Sequence, residues 1–113
     1  MYDKNKQNIL DIQDSIEKIF SFTNNISNHE EFYQNQIVFD AVLMNFVVIG
    51  EAVSRLTDDF ISKNNHIDWI KIKGLRNIIA HDYFGVDAEE IWQVVKNIIS
   101  DFDKQIKEVL KSF

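Results

Sequence analysis

No proline interrupts the 113 residues of this chain and its only glycines are Gly50, Gly74 and Gly85, so the residues that most often end or kink a helix are nearly absent. Long helices are what such a chain forms most readily. The expected fold is all-α, an antiparallel four-helix up-and-down bundle in which residues 1–113 make one domain. A chain of this length buries roughly two-thirds of the surface its unfolded form exposes, enough for one core.

Apolar spacing places the helices. From about Lys4 to Asn24, Ile9, Ile12, Ile16, Ile19 and Phe20 recur at three- and four-residue steps, with Asp11, Asp14, Glu17 and Lys18 between them. Ser27 followed by Glu30 has the form of a capping box, and it predicts a second helix from Glu30 to Ile61 with a bend near Asn35. The middle of that helix, AVLMNFVVIGEAV, is apolar on nearly every face, so more than one neighbour must cover it. The surplus points to a self-association face, hence a homodimer. Gly50 costs that helix up to about 1 kcal/mol against alanine, which close approach of another helix would offset. Asp68 caps a third helix beginning WIKIKGLRN, with Ile72, Leu75, Ile78 and Ile79 as its inward stripe and Gly85 as a left-handed C-cap. Asp87 with Glu90 starts the last helix, whose apolar face is Ile91, Val94, Ile98, Phe102, Ile106, Val109 and Phe113. Trp69 and Trp92 read as packing residues, and His29 and His66 fall in polar loops.

Composition removes several chemistries. Without cysteine there is no disulfide framework, thiolate metal site or thiol nucleophile, and a reducing, cytoplasmic setting is expected. The start of the chain has no apolar core of signal-peptide type. The most apolar run, Ala41 to Ile49, contains Asn45 and is far short of the roughly 20 residues that span a bilayer, so no membrane partner is expected. No Glu-x-x-His pair is present to build a di-metal carboxylate bundle, and neither metal nor cofactor is expected. A formal net charge of −6 repels polyphosphates at long range, so any nucleic-acid chemistry must be local.

The stretch GLRNIIAHDYFG, residues 74–85, gathers Arg76, Asn77, His81 and Tyr83 into one apolar helical segment. On an ideal helix Arg76 and Tyr83 nearly align, as do Asn77 and His81, whereas Arg76 and His81 point about 140° apart. A swinging arginine, a loosened last turn, or a two-fold axis pairing two helices would have to bring those two together. Histidine's ordinary titration range lies near neutral pH, and the last turn of a helix favours its cationic form. Beside a permanently charged planar guanidinium, it makes a minimal kit for cleaving RNA without metal. Histidine would take the proton of a ribose 2′-hydroxyl or supply one to the leaving 5′-oxygen, and Arg76 would hold the phosphate. Spacing alone leaves plainer roles open: a helix-end cap for His81, and a core-edge phenol for Tyr83. Lys71, Lys73 and Arg76 form a small basic cluster that Arg55 and Lys63 could extend, and Lys71 and Lys73 are candidate RNA contacts or simply part of a solvated face.

With these residues in view, nearly the whole chain resembles the HEPN-domain toxins of the HepT type, partners of the minimal nucleotidyltransferase antitoxin MntA. The resemblance covers ILDIQDSIEKI, VLMNFVVIGEAVSRL, WIKIKGLRNIIAHDYFG and IWQVV. Its specific part is the motif R-x4-H-x-Y, filled by Arg76, His81 and Tyr83, with Asn77 in the polar position after the arginine. The resemblance implies a homodimeric helical bundle whose two motifs meet in an interface cleft and act as a metal-independent endoribonuclease. It also implies neutralisation by transfer of AMP from ATP to Tyr83. A second reading keeps the motif and dimer without catalysis: a HEPN nucleotide-binding or docking module paired with a nucleotidyltransferase. Family members often carry proline shortly before the tryptophan, where this chain has NNHIDW, which implies a changed loop there.

Overall fold

A computed structural model describes residues 3–113, and these residues are all-helical. Helix α1 spans Lys4–Thr23, capped by the Asp3 carboxylate, which accepts from the Lys6 N–H at 3.1 Å. Its Ile9, Ile12, Ile16 and Ile19 are fully buried, as their spacing predicts.

The long second helix of the sequence reading is three helices. α2 covers His29–Gln34, α3 covers Gln36–Ser54 and α4 covers Asp58–Lys63. The capping box is displaced by one residue. Asn28, not Ser27, caps α2 by accepting from the Glu31 N–H at 2.9 Å, and Glu31 reaches back to the Ser27 N–H at 3.1 Å. Asn35 is a break rather than a bend, because its side chain accepts from the Val38 N–H at 3.2 Å and starts α3 afresh. Thr57 likewise caps α4, accepting from the Phe60 N–H at 3.2 Å. The Thr57 backbone and hydroxyl both bond Asn5, each at 3.1 Å, which ties this corner to the start of α1.

Helix α3 is the centre of the molecule, with α1 packed on one side and α5 (Trp69–His81) on the other. By length and composition alone Gln36–Ser54 could cross a membrane. Here Phe39, Val42, Leu43, Phe46 and Ile49 are buried in the core instead. The chain closes with α6 (Ala88–Gln93), a π-helical turn at Val94–Ile98, and α7 (Ile99–Lys111), which returns to α1. The π turn widens the ladder and shifts the buried face: Val94, Val95 and Ile99 are buried, and Ile98 is only half-buried. Phe113 is not core either; it is exposed and stacks on Phe60 with ring centroids 5.7 Å apart. Trp69 and Trp92 are buried, and the Trp69 indole N–H donates to the Asn64 carbonyl at 3.0 Å across the NNHIDW loop.

Candidate active site

α5 starts where Asp68 accepts from the Lys71 N–H at 3.0 Å, and it carries Arg76, Asn77 and His81 along one helix. Ile72 and Ile79 face the core and Leu75 is half-buried, but Ile78 departs from the expected inward stripe and is exposed. Arg76 crosses α3 at Gly50, so closely that a Cβ on Gly50 would collide with the Cβ and Cγ of the arginine. The cost of glycine inside α3 is thus matched by a helix–helix approach that no larger residue allows.

Beyond that crossing the guanidinium is fixed on two sides. Its Nε–H donates to Glu51 Oε1 at 2.8 Å, Nη2 donates to the same oxygen, and Nη1 donates to Asn77 Oδ1 at 2.8 Å. A guanidinium has five N–H donors, so two are left over, one on each terminal nitrogen. The Arg76 and Glu51 side chains are 35% and 36% exposed, and an ion pair that wet adds little to stability. Its effect is to aim the group.

The helix ends at His81, four residues short of the expected Gly85. Asp82 leaves helical geometry with φ −146°, and its carboxylate accepts from the Gly85 N–H at 3.1 Å, folding Tyr83–Gly85 into a 3₁₀ turn. Gly85 is therefore not a left-handed cap: among the described residues no glycine has positive φ. Glycine fits because a Cβ would strike the Asp82 carboxylate.

The turn presents Tyr83 to the start of α3. Its hydroxyl donates to Asp40 Oδ1, while Gln36 Nε2 donates to the same carboxylate oxygen at 2.9 Å and to the phenol at 3.4 Å. The hydrogen bond to Asp40 holds the Tyr83 phenol above its ordinary value of 10.0; desolvation and the Asp40 charge add to this, and Gln36 opposes it. Because the folded value is raised, any stabilisation is fully present below pH 10.0 and lost as pH climbs through the raised value. At neutral pH Tyr83 is therefore a neutral donor. Asp40→Asn should move one tyrosine step of an ultraviolet titration downward, and superimposable wild-type and variant curves would rule out the Asp40 contact.

Arg76 and His81 border the same open depression, of about 530 Å³, together with Asn77, Ile78 and Ala80. The depression follows the exposed side of α5, so both residues border it although their directions on an ideal helix diverge. All five lining residues come from α5, which leaves the depression with one wall. Apolar side chains are exposed on α3, on α5 and in the turn that follows it. On α3, Asp40, Met44, Val48 and Glu51 follow at four-, four- and three-residue steps, so Met44 and Val48 lie exposed between the partners of Tyr83 and Arg76. Ile37 is 84% exposed, Ile70 87% and Phe84 95%.

The other candidates lie elsewhere. Lys71 borders a separate depression with His66, Asp68 and Asn97, and Lys73 another with Leu56, Asp58 and Ile70. Lys63 pairs with Asp59 at 3.1 Å. His29 lines a cavity of about 530 Å³ with Glu30, Tyr33, Val86 and Asp87, which none of the motif residues reaches. Gln36, Asp40 and Glu51 are site residues that the sequence did not single out, whereas the close helix approach expected at Gly50 is found, with Arg76 as its partner. The available signal was the lone acidic residue in VVIGEAV, since a carboxylate set in an apolar run needs a partner.

The chain is similar to known proteins over most of its length. A family model described as ribonuclease HepT-like matches residues 12–109. A protein of Methanocaldococcus jannaschii named as an RNase is 36% identical over 103 residues, covering 91% of this chain and 84% of its own. One so named from Caldanaerobacter subterraneus is 34% identical over 82 residues, 73% of each chain. A protein of Thermococcus cleftensis named as a ribonuclease HepT is 31% identical over 106 residues, covering 94% of this chain and 96% of its own. No solved structure matches. The names of these relatives support a ribonuclease-type function. With the match running from the middle of α1 almost to the end of α7, the chain belongs to the HepT-like ribonuclease family and is a HEPN protein of the HepT type.

Proposed function

We propose that this chain is a metal-independent endoribonuclease toxin that works as a homodimer and is silenced by nucleotidylation of Tyr83. The observation that carries the reading is that Arg76, with two guanidinium N–H groups unspent, borders one open depression with His81. A phosphodiester seated there would offer two oxygens to those two donors. His81 takes the proton of the ribose 2′-hydroxyl; the 2′-oxygen bonds to phosphorus, the bond to the 5′-oxygen breaks, and that oxygen receives a proton. In a two-fold dimer the second His81 is available to supply it. Arg76 stabilises the charge that grows on the phosphate oxygens. Acid, base and counter-charge are all side chains, so the step requires no metal.

The one-walled depression and the exposed apolar side chains of α3 and α5 support the dimer, since a second copy would cover the exposed Ile78 and close the cleft. The 3₁₀ turn supports the regulatory role, because it sets the Tyr83 hydroxyl at the surface on the element that follows His81. An MntA-type nucleotidyltransferase would transfer AMP there from ATP, and the added phosphate would compete with RNA for Arg76. Lys71 and Lys73 remain candidate contacts for the flanks of a longer RNA.

Purified protein should cut RNA in EDTA, with affinity falling as salt rises. Expressed alone it should arrest growth, and co-expression of the nucleotidyltransferase should relieve the arrest and add adenylate mass to Tyr83. Cleavage that appears only when a divalent metal is restored would remove the metal-independent mechanism. Harmless expression of a protein that does not cut RNA would favour the docking module instead.

A further inference from the structure

We propose that Gly50 and Glu51 form a built cradle for the arginine, in which Glu51 is a positioning residue that presents the Arg76 guanidinium to a phosphodiester. This rests on the reading of Arg76 as the phosphate clamp. Two independent features of α3 converge on one side chain. Gly50 lets the stem of Arg76 lie directly on the helix, and the next residue receives both Nε and Nη2 on one carboxylate oxygen. Arginine is among the side chains that lose most rotamer freedom on being fixed, so an unheld guanidinium sweeps many positions, few of which serve the phosphate. The cradle confines that sweep before RNA arrives, and Asn77 closes it from the side at 2.8 Å.

A carboxylate beside a phosphate-binding cation has an obvious drawback, because it cancels part of the attraction. The geometry limits that effect. Glu51 takes the edge made by Nε and Nη2 and leaves a donor on each terminal nitrogen, and a pair about one-third exposed is strongly screened. Attraction therefore acts on RNA binding and orientation on the chemical step, so the two effects of the carboxylate separate between KM and kcat. Removing the carboxylate should leave RNA binding unchanged or tighter while the chemical step slows. A residue that merely stabilised the fold or balanced charge would not give that split.

The test combines kinetics with a direct view of the arginine in the full chain. Glu51→Ala should lower kcat by about 10²-fold, the loss typical of a misplaced catalytic group, with KM unchanged or reduced. Glu51→Gln, which keeps an acceptor oxygen, should recover part of the loss. Gly50→Ala should act like Glu51→Ala because the new methyl collides with the Arg76 stem. Gly74→Ala is the control: it lies on the same helix as Arg76, and a Cβ there meets nothing within 4 Å. The chain has two arginines, Arg55 and Arg76, so Nε–H resonances are readily assigned by substitution. In the wild type the Arg76 Nε–H should exchange with water more slowly than that of the exposed Arg55, and Glu51→Ala should erase the difference. Equal exchange at both arginines, or wild-type kcat in Glu51→Ala while Arg76→Ala is inactive, would overturn the cradle. If neither wild type nor variants cut RNA, the nuclease reading falls and the exchange measurement still judges the cradle.

Discussion

Replacing His81 with alanine should lower RNA cleavage by about 10²–10⁴-fold, the range expected for losing one positioned proton-transfer group. The fold should not change with it. His81 is exposed at the last position of α5, and the backbone there is held by the Asp82 N–H bond to the Ile78 carbonyl at 3.1 Å and by the Asp82-capped turn beyond it. Truncating the ring removes no core contact, so circular dichroism and the urea midpoint should match the wild type. Arg76→Ala should also fail, by about 10²–10³-fold, but with a rise in KM because the phosphate loses its cation. The double variant should be little worse than the poorer single one, since the two groups act on one transition state. Added imidazole should restore part of the His81→Ala rate and none of the Arg76→Ala rate. Equal cutting by wild type and His81→Ala would take the histidine out of the mechanism.

Sequence alone carried the elements whose signals are local. The four isoleucines of α1, the Asp68 cap and the Asp87 cap stand as read, because each depends on neighbours three or four residues away. It misread places where two local signals compete. Ser27 and Asn28 are both good caps, each with a glutamate three residues on; Asn28 takes the role by accepting from the Glu31 N–H, and the Glu31 carboxylate accepts from the Ser27 N–H. Asn35 and Thr57 sit inside an apolar pattern that continues past them, and periodicity hid that their side chains serve the backbone better as caps than as helix interior. Gly85 has the sequence position of a left-handed cap, but the Asp82 carboxylate folded the turn first. Ile78 follows the inward spacing and is exposed nonetheless, because α3 covers only one side of α5.

The candidate site divides in the same way. Arg76, His81 and Tyr83 were legible because they lie within eight residues of one another in a recognisable motif. Their partners were not. Glu51 lies 25 residues from Arg76 and Asp40 lies 43 from Tyr83, and they meet only because α5 runs back along α3. Periodicity within one helix contains nothing about that register. Arg76 and His81 diverge at Cα on an ideal helix, and both nevertheless border the depression along the exposed side of α5.

Ile78→Asp should turn a dimer into a monomer and abolish RNA cleavage together. Ile78 sits between the two motif residues on the depression, is 61% exposed, and so contributes little to the protomer's own core. An aspartate there leaves the isolated chain folded. In a two-fold interface the substitution occurs twice and, near the axis, faces its own copy. Each protomer then forfeits about 1.5–3 kcal/mol of apolar burial, and a carboxylate sealed without a partner costs several kcal/mol more. A dimer held by a few such side chains does not survive that sum at micromolar concentration. Leu10→Asp is the matched control, because it adds the same charge at a partly exposed leucine of α1, an element outside the α3–α5 surface that carries the motif. Light scattering and RNA digestion on the same samples decide the matter. A wild type that is dimeric, an Ile78→Asp protein that is monomeric and inactive, and an unaffected Leu10→Asp protein are expected. An Ile78→Asp monomer that cuts RNA at the wild-type rate would mean that Arg76 and His81 of one chain suffice, and the shared cleft would have to be abandoned.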